Sequence, residues 1–149
     1  MSIRNKRDMA RTVTTIRDMQ KLVADHERLA ADQEVARQDG IVREASGRLQ
    51  QAQSEWDEYM ASGRLMPEFM RALAEEVFGR EQTYEAARHS LQSAERERDA
   101  RTRRAELSAG LRKQAEQILK RAQRDVAAQD GARAQTALEE RTAFTWSQS

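Results

Sequence analysis

The sequence of 149 residues has no cysteine, only one proline and few aromatic residues, which make up 5% of the chain. Without cysteine the chain can form neither disulfides nor thiolate metal sites, an absence that fits a reducing compartment. No apolar run approaches the roughly 20 residues needed to cross a bilayer. The N-terminal segment 1–7 is basic but leads into no apolar stretch, so we expect no secretory signal. These absences predict a cytoplasmic protein that does not span a membrane.

Large excesses of charge of one sign are also missing, since 26 basic residues face 25 acidic ones. The segment 95–104 contains five arginines, but Glu95, Glu97 and Asp99 lie between them. This alternation is typical of a solvated face rich in ion pairs, so we expect no nucleic-acid partner. The basic start, with Arg4, Arg7 and Arg11, is a better candidate for binding an acidic protein partner.

Sequence motifs for catalysis are absent as well: there is no phosphate-binding glycine loop, no nucleophile elbow and no cysteine nucleophile. The two histidines, His26 and His89, are far apart in the chain and lack converging donors for a metal. Carboxylate pairs such as Glu75 and Glu76 would need a desolvated pocket to act as acid and base. We therefore expect no catalytic residue, no metal and no cofactor.

The composition of the chain favours helices, and helix-ending residues interrupt it clearly at one place. Gly63 suits the position just past a helix end, and Pro67 followed by Glu68 suits the first turn of a new helix. These signals predict one helix over about 8–61, a turn at about 62–66, a second helix over about 67–143 and a tail at 144–149. With mean hydropathy of −0.93, helices this long must cover each other. The predicted fold is a single all-α domain, an antiparallel two-helix coiled-coil hairpin.

Apolar residues in alternating steps of three and four support the hairpin. The first helix carries Val35, Val42, Ala45, Leu49, Ala52, Trp56 and Tyr59, interrupted by Gln38. The second carries Met70, Leu73, Val77, Tyr84, Ala87, Leu91 and Ala94, interrupted by Arg80. Folding at the turn pairs positions whose numbers sum to 129, for example Trp56 with Leu73. In most of these layers a large side chain meets a small one, which keeps the helices evenly spaced.

Far from the turn, the pattern predicts a change of phase. Arg98 and Arg101 fall on the seam, so we expect the hairpin to be loose or solvated there. Beyond them we expect a second seam, in which Met9, Val13, Ile16, Met19, Leu22 and Val23 face Ala105, Leu107, Leu111, Ala115, Ile118, Leu119 and Ala122. After about residue 123 the second helix should have no counterpart. Phe144 and Trp146, in the tail, should either fold back or enter a partner.

The aromatic residues near the turn are Trp56, Tyr59, Phe69 and Phe78. Packing of the closed end accounts for Trp56 and Tyr59, but one two-helix end cannot bury all four. Phe69 and Phe78 lie off the seam, so an exposed apolar surface that docks on another protein is the alternative.

This layout resembles the small stalk proteins of type III secretion and flagellar export, the FliJ/YscO family. The similarity covers nearly the whole chain: a basic start, a long helix ending in Trp56-Asp57-Glu58-Tyr59, a short turn, the segment Phe69-Met70-Arg71-Ala72-Leu73 and a longer second helix. The resemblance implies a non-enzymatic protein that inserts into and activates a hexameric export ATPase. It also implies contact with the cytosolic domain of the export gate and, in some members, with export chaperones.

By the same resemblance, the gate would contact Tyr59, Phe69 and Leu73, with Trp56 beside them. Two further positions of the family's contact are here the charged Glu76 and Arg80, a departure from its apolar character. The ATPase would contact Arg4, Arg7, Arg11, Ile16, Leu119 and Val126. The implied location is cytoplasmic and peripheral to the inner-membrane secretion apparatus. The alternative function is a coiled-coil scaffold, or a spacer that binds export chaperones, without an ATPase partner.

Overall fold

A computed structural model describes residues 1–148, which form two helices, α1 (Ile3–Ala61) and α2 (Pro67–Gln148). The two helices pack against each other, and no strand occurs among the described residues. The predicted all-α two-helix hairpin is therefore confirmed. The chain divides into two compact units, which are described separately below. Unit 1 comprises residues 1–25 and 104–148, and unit 2 comprises residues 26–103.

Both helices are longer than the sequence signals predicted, whereas the turn between them lies where it was expected. α1 begins at Ile3 rather than near residue 8, because the hydroxyl of Ser2 accepts a hydrogen bond from the N–H of Asn5 and caps the helix. α2 continues to Gln148 rather than ending near 143. The predicted tail is thus helical over 144–148, since no proline or glycine after Gly131 interrupts it. Ser149 lies outside the described residues.

The buried residues are mostly alanines spaced along one line of each helix. The residues that are less than a tenth exposed are Ala10, Ala24, Ala31, Ala45 and Ala52 in α1, and Leu73, Ala87, Ala94, Ala105, Ala115 and Val126 in α2. In unit 2 the larger members of the predicted layers, such as Val42, Val77 and Tyr84, are only half-buried. The methyl group of an alanine at the line of closest approach lets two helices pack closely. Longer side chains beside it then cover the two sides of the helix interface.

Contacts between the helices show an antiparallel register in each unit. In unit 1 the hydroxyl of Thr14 donates to the carbonyl of Ala115 at 3.3 Å, and their numbers sum to 129. In unit 2 the guanidinium of Arg101 pairs with Glu27 at 2.6 Å, and their numbers sum to 128. Both contacts agree with the predicted pairing to within one residue.

The predicted change of phase in unit 1 is wrong. The seam of α1 continues in unbroken steps of three and four through Ala10, Thr14, Arg17, Lys21 and Ala24, all of them buried or half-buried. The residues assigned to a second seam in α1 are instead exposed, namely Met9, Val13, Ile16, Met19, Leu22 and Val23. Alanines recur at the same spacing one position away from these longer apolar residues. The alanines are the ones buried, because their small side chains let the two helices pack more closely.

Two polar seam positions of unit 2, Gln38 and Arg101, make hydrogen bonds or ion pairs. Arg101 is half-buried and pairs with Glu97 at 2.7 Å as well as with Glu27, and both contacts raise its pKa. Gln38 donates to Glu34, which also pairs with Arg37 at 2.7 Å. Hydrogen bonds from Arg37 and then Gln38 lower the pKa of Glu34 to about 2. The arginine-rich middle is therefore solvated, as predicted, but its charges are ordered in pairs.

The alanine seam generates a stability prediction. Replacing Ala52, which is 1% exposed, with Leu should force the helices apart and lower the free energy of unfolding by about 1–3 kcal/mol. The matched control is Ala36→Leu at an exposed position of the same helix, which should change stability by less than about 0.5 kcal/mol. Urea unfolding followed by circular dichroism measures both. Equal stability of the two variants would contradict close approach at Ala52.

Candidate partner-binding surfaces

The turn between the helices is held by Tyr59. Its hydroxyl accepts a hydrogen bond from the N–H of Met66 at 2.5 Å and lies 3.4 Å from the Met66 carbonyl. Its ring meets that of Phe69 edge to face, with centroids 4.7 Å apart. Gly63 adopts a positive φ of 72°, and the hydroxyl of Ser62 donates to the Tyr59 carbonyl at 2.6 Å. Tyr59 therefore stabilises the turn through its hydroxyl and its ring, and we call these two contacts the brace of the turn.

Around this brace lies an exposed apolar surface, the turn patch, formed by Met60, Leu65, Met66 and Phe69. Of the four residues expected to contact the gate, only Phe69 is exposed, at 51%. Leu73 is 8% exposed and belongs to the helix interface, and Trp56 is half-buried. Leu73 is buried because its seam position turns the side chain toward α1, and its contact with the gate stays a prediction. Met66, which lies beside the aromatic residues in the sequence, is 66% exposed.

Glu76 and Arg80, where the family pattern would have apolar residues, line a polar groove of unit 2. The groove also contains Arg48, Gln51, Ala52 and Glu55. Charged side chains of both signs in one groove favour solvent over an apolar partner. The turn patch therefore does not extend along α2 in this direction. Phe78 is exposed, but it lines neither the patch nor this groove.

Unit 1 carries a second apolar surface, the unit 1 groove, between α1 and α2. The residues lining it are Ile3, Lys6, Met9, Ala10, Val13, Ala115, Ile118, Arg121, Ala122 and Asp125. Its volume is about 560 Å³. The floor is formed by alanines of the seam, and the walls are longer side chains one position to the side. Met9 and Val13, two of the residues misassigned to a second seam, thus line this groove from α1.

The residues expected to contact an ATPase differ in how exposed they are in unit 1. Ile16 is 48% exposed and Arg11 is exposed, so both are accessible. Leu119 is half-buried and Val126 is 5% exposed, so Val126 is a core residue, and its contact with an ATPase stays a prediction. The expected overhang after residue 123 was placed too early, because Val126 packs inside the unit.

The expected basic contacts are partly neutralised within unit 1. Arg4 pairs with Asp130 at 2.8 Å, which extends the paired region of α2 to residue 130. Arg7 lies on the seam and pairs with Asp8 at 3.1 Å. From 131 to 148 every residue of α2 is exposed, including Leu138, Phe144 and Trp146. The overhang is therefore shorter than expected, and Phe144 and Trp146 do not fold back.

Neither histidine belongs to a metal-binding group, and residues 1–148 contain no set of three or more histidine or acidic side chains placed to hold a metal. No described helix is long and apolar enough to cross a membrane. The surfaces found in the described units combine exposed apolar side chains with charged neighbours.

The brace at the turn can be tested by Tyr59→Phe, which keeps the ring and removes the hydroxyl. We expect faster amide hydrogen exchange over 66–70, because the Met66 N–H loses its acceptor, and a loss of stability of about 1 kcal/mol. Tyr84→Phe is the control, since the Tyr84 hydroxyl makes no hydrogen bond to any residue of 1–148. Unchanged exchange at Met66 in Tyr59→Phe would contradict the bracing role.

Comparison with known proteins found no matching family model, no matching curated protein and no matching solved structure. The resemblance to export stalk proteins therefore continues to rest on layout: the basic start, the aromatic residues before the turn and two unequal helices.

Proposed function

We propose that the chain is a non-enzymatic coupling protein of a type III secretion or flagellar export apparatus. In this function unit 1 inserts into a hexameric export ATPase and activates it, and the turn patch of unit 2 binds the export gate. The observation that carries the proposal is that each unit exposes an apolar surface that its own core leaves uncovered. Two separate apolar surfaces on one chain suit a protein that contacts two partners.

The accessible residues refine which side chains act in this proposal. On unit 1 the ATPase contacts are Ile16 and Arg11, together with the basic start, whereas Val126 supports the helix pair from inside. On unit 2 the gate contacts are Phe69 and Met66, which Tyr59 holds in place. Apolar anchors beside basic residues are a common composition for protein interfaces.

A scaffold or chaperone-binding spacer is the second candidate function. It is favoured by residues 131–148, an exposed helix that has no counterpart in α1. A protein of this kind would bind its partners without changing the rate of an ATPase. Both functions place the molecule in the cytoplasm beside a secretion apparatus, so they differ in activity and not in location.

ATPase stimulation tests the leading proposal. The chain should raise the hydrolysis rate of the cognate hexameric export ATPase several-fold, measured by phosphate release. Ile16→Asp should abolish most of the stimulation, because a carboxylate on an apolar contact must be desolvated. Leu29→Asp, at 55% exposure compared with 48% for Ile16, is the matched control and should stimulate normally. No stimulation by the unaltered chain would exclude the ATPase role.

The gate contact needs a separate measurement. The cytosolic domain of the export gate should bind the unaltered chain in a calorimetric titration, and Phe69→Asp should weaken binding about tenfold or more. Phe78→Asp is the control, because Phe78 is similarly exposed, at 62% compared with 51%, but lies outside the turn patch. Equal affinities of the two variants would show that the turn patch is not the gate contact.

A further inference from the structure

The unit 1 groove continues as an apolar stripe along α1. From Met9 the stripe passes through Val13 and Ile16 to Val23, in steps of four and three that only Gln20 interrupts. All four apolar residues are exposed. This spacing is that of a coiled-coil seam, displaced by one residue from the seam that α2 occupies. The shape and spacing therefore suit a third helix lying in the groove.

Charge in unit 1 is partly neutralised by ion pairs on the flank opposite the groove. There Arg4 pairs with Asp130 and Arg112 pairs with Asp18, whereas Arg11 has no ion pair with the described residues. In the groove, Lys6 and Arg121 have no ion-pair partner among the described residues. Asp125 is the one carboxylate in the lining. The groove thus offers an apolar floor with two available cations against one carboxylate.

Two occupants from this chain itself fit the groove poorly. A second copy placed groove against groove would bring two linings together that each carry Lys6 and Arg121 against the single carboxylate of Asp125, which is unfavourable. The exposed segment 131–148 lacks a continuous apolar stripe, since Phe144 lies about 120° around the helix from Leu138, at 3.6 residues per turn. Its acids, Glu139 and Glu140, therefore have no continuous apolar face beside them.

We propose that the unit 1 groove binds an amphipathic helix of a partner protein, with an apolar stripe flanked by acidic residues. The partner's apolar stripe contacts Val13, Ile118 and the alanine floor, and its carboxylates meet Lys6 and Arg121. The partner helix, α1 and α2 then form a three-helix bundle. This deepens the proposed function by specifying the partner's chemistry, and it does not require that the partner be an ATPase.

Synthetic helical peptides test this chemistry on the full chain. One 21-residue peptide has leucine at its seam positions and glutamate at the flanking positions, and a second has lysine in place of each glutamate. Each labelled peptide is titrated with the chain at low salt, and binding is measured by fluorescence anisotropy. The chain should bind the acidic peptide about tenfold more tightly than the lysine peptide. The preference should shrink at high salt, because screening weakens exposed ion pairs.

Variants then locate the binding surface. Ile118→Asp, at a groove residue that is 61% exposed, should weaken binding of the acidic peptide at least tenfold. Leu138→Asp, at 64% exposure on the same helix but outside the groove, should bind it normally. Arg121→Glu should lower affinity for the acidic peptide and raise it for the lysine peptide, which a mere loss of folding would not do. Arg124→Glu is the control for charge reversal, because Arg124 lies on the same helix but does not line the groove.

Three results would overturn the proposal. The first is failure of the chain to bind either peptide, and the second is equal binding of both. The third is a self-association, seen by sedimentation, that Ile118→Asp abolishes while peptide binding persists, because the groove would then hold a second copy. Failure of peptide binding would leave ATPase stimulation as an independent measurement, so the two proposals can fail separately.

Discussion

Close approach of two helices along a line of alanines is the constraint on which the rest of this structure depends. Among residues 1–148, nine of the eleven buried residues are alanines, so the core stabilises the hairpin through proximity and many small contacts. Longer apolar residues along this line are mostly half-buried, as Val42 and Tyr84 are, and Leu73 and Val126 are the larger side chains buried among the alanines. Other long apolar residues lie beside the line and form the walls of the unit 1 groove.

Much of the fold could be predicted because its signals are local and repeated. Gly63 and Pro67 mark the turn, and the steps through Val35, Ala45 and Ala52 identify the seam of unit 2. The antiparallel register then follows from the turn position, since helices of constant rise bring fixed pairs together. The contact of Thr14 with Ala115 shows that this register also holds in unit 1.

The errors arose where two periodic patterns run side by side. In unit 1 the pattern of Met9, Val13 and Ile16 is more hydrophobic than that of Ala10 and Thr14, so composition favours the wrong seam. Which pattern is buried depends on how closely the backbones pack, and residue hydrophobicity does not report that distance. Leu73 and Val126 were expected as contacts because of the resemblance to export stalk proteins, and in the structure both are buried. The hydrogen bond from the Met66 N–H to the Tyr59 hydroxyl could not be predicted, because no spacing rule contains it.

The alanine seam has a consequence for the response of the molecule to temperature. Unfolding exposes little area of large apolar side chains, because within the described part of the chain Leu73 and Val126 are the only buried residues larger than alanine. The heat capacity of unfolding grows with newly exposed apolar area, so its value per residue should be low for this chain. A low heat-capacity change flattens the stability curve and moves cold denaturation further from ordinary temperatures. A protein built this way would keep a nearly constant, modest stability across a wide thermal range.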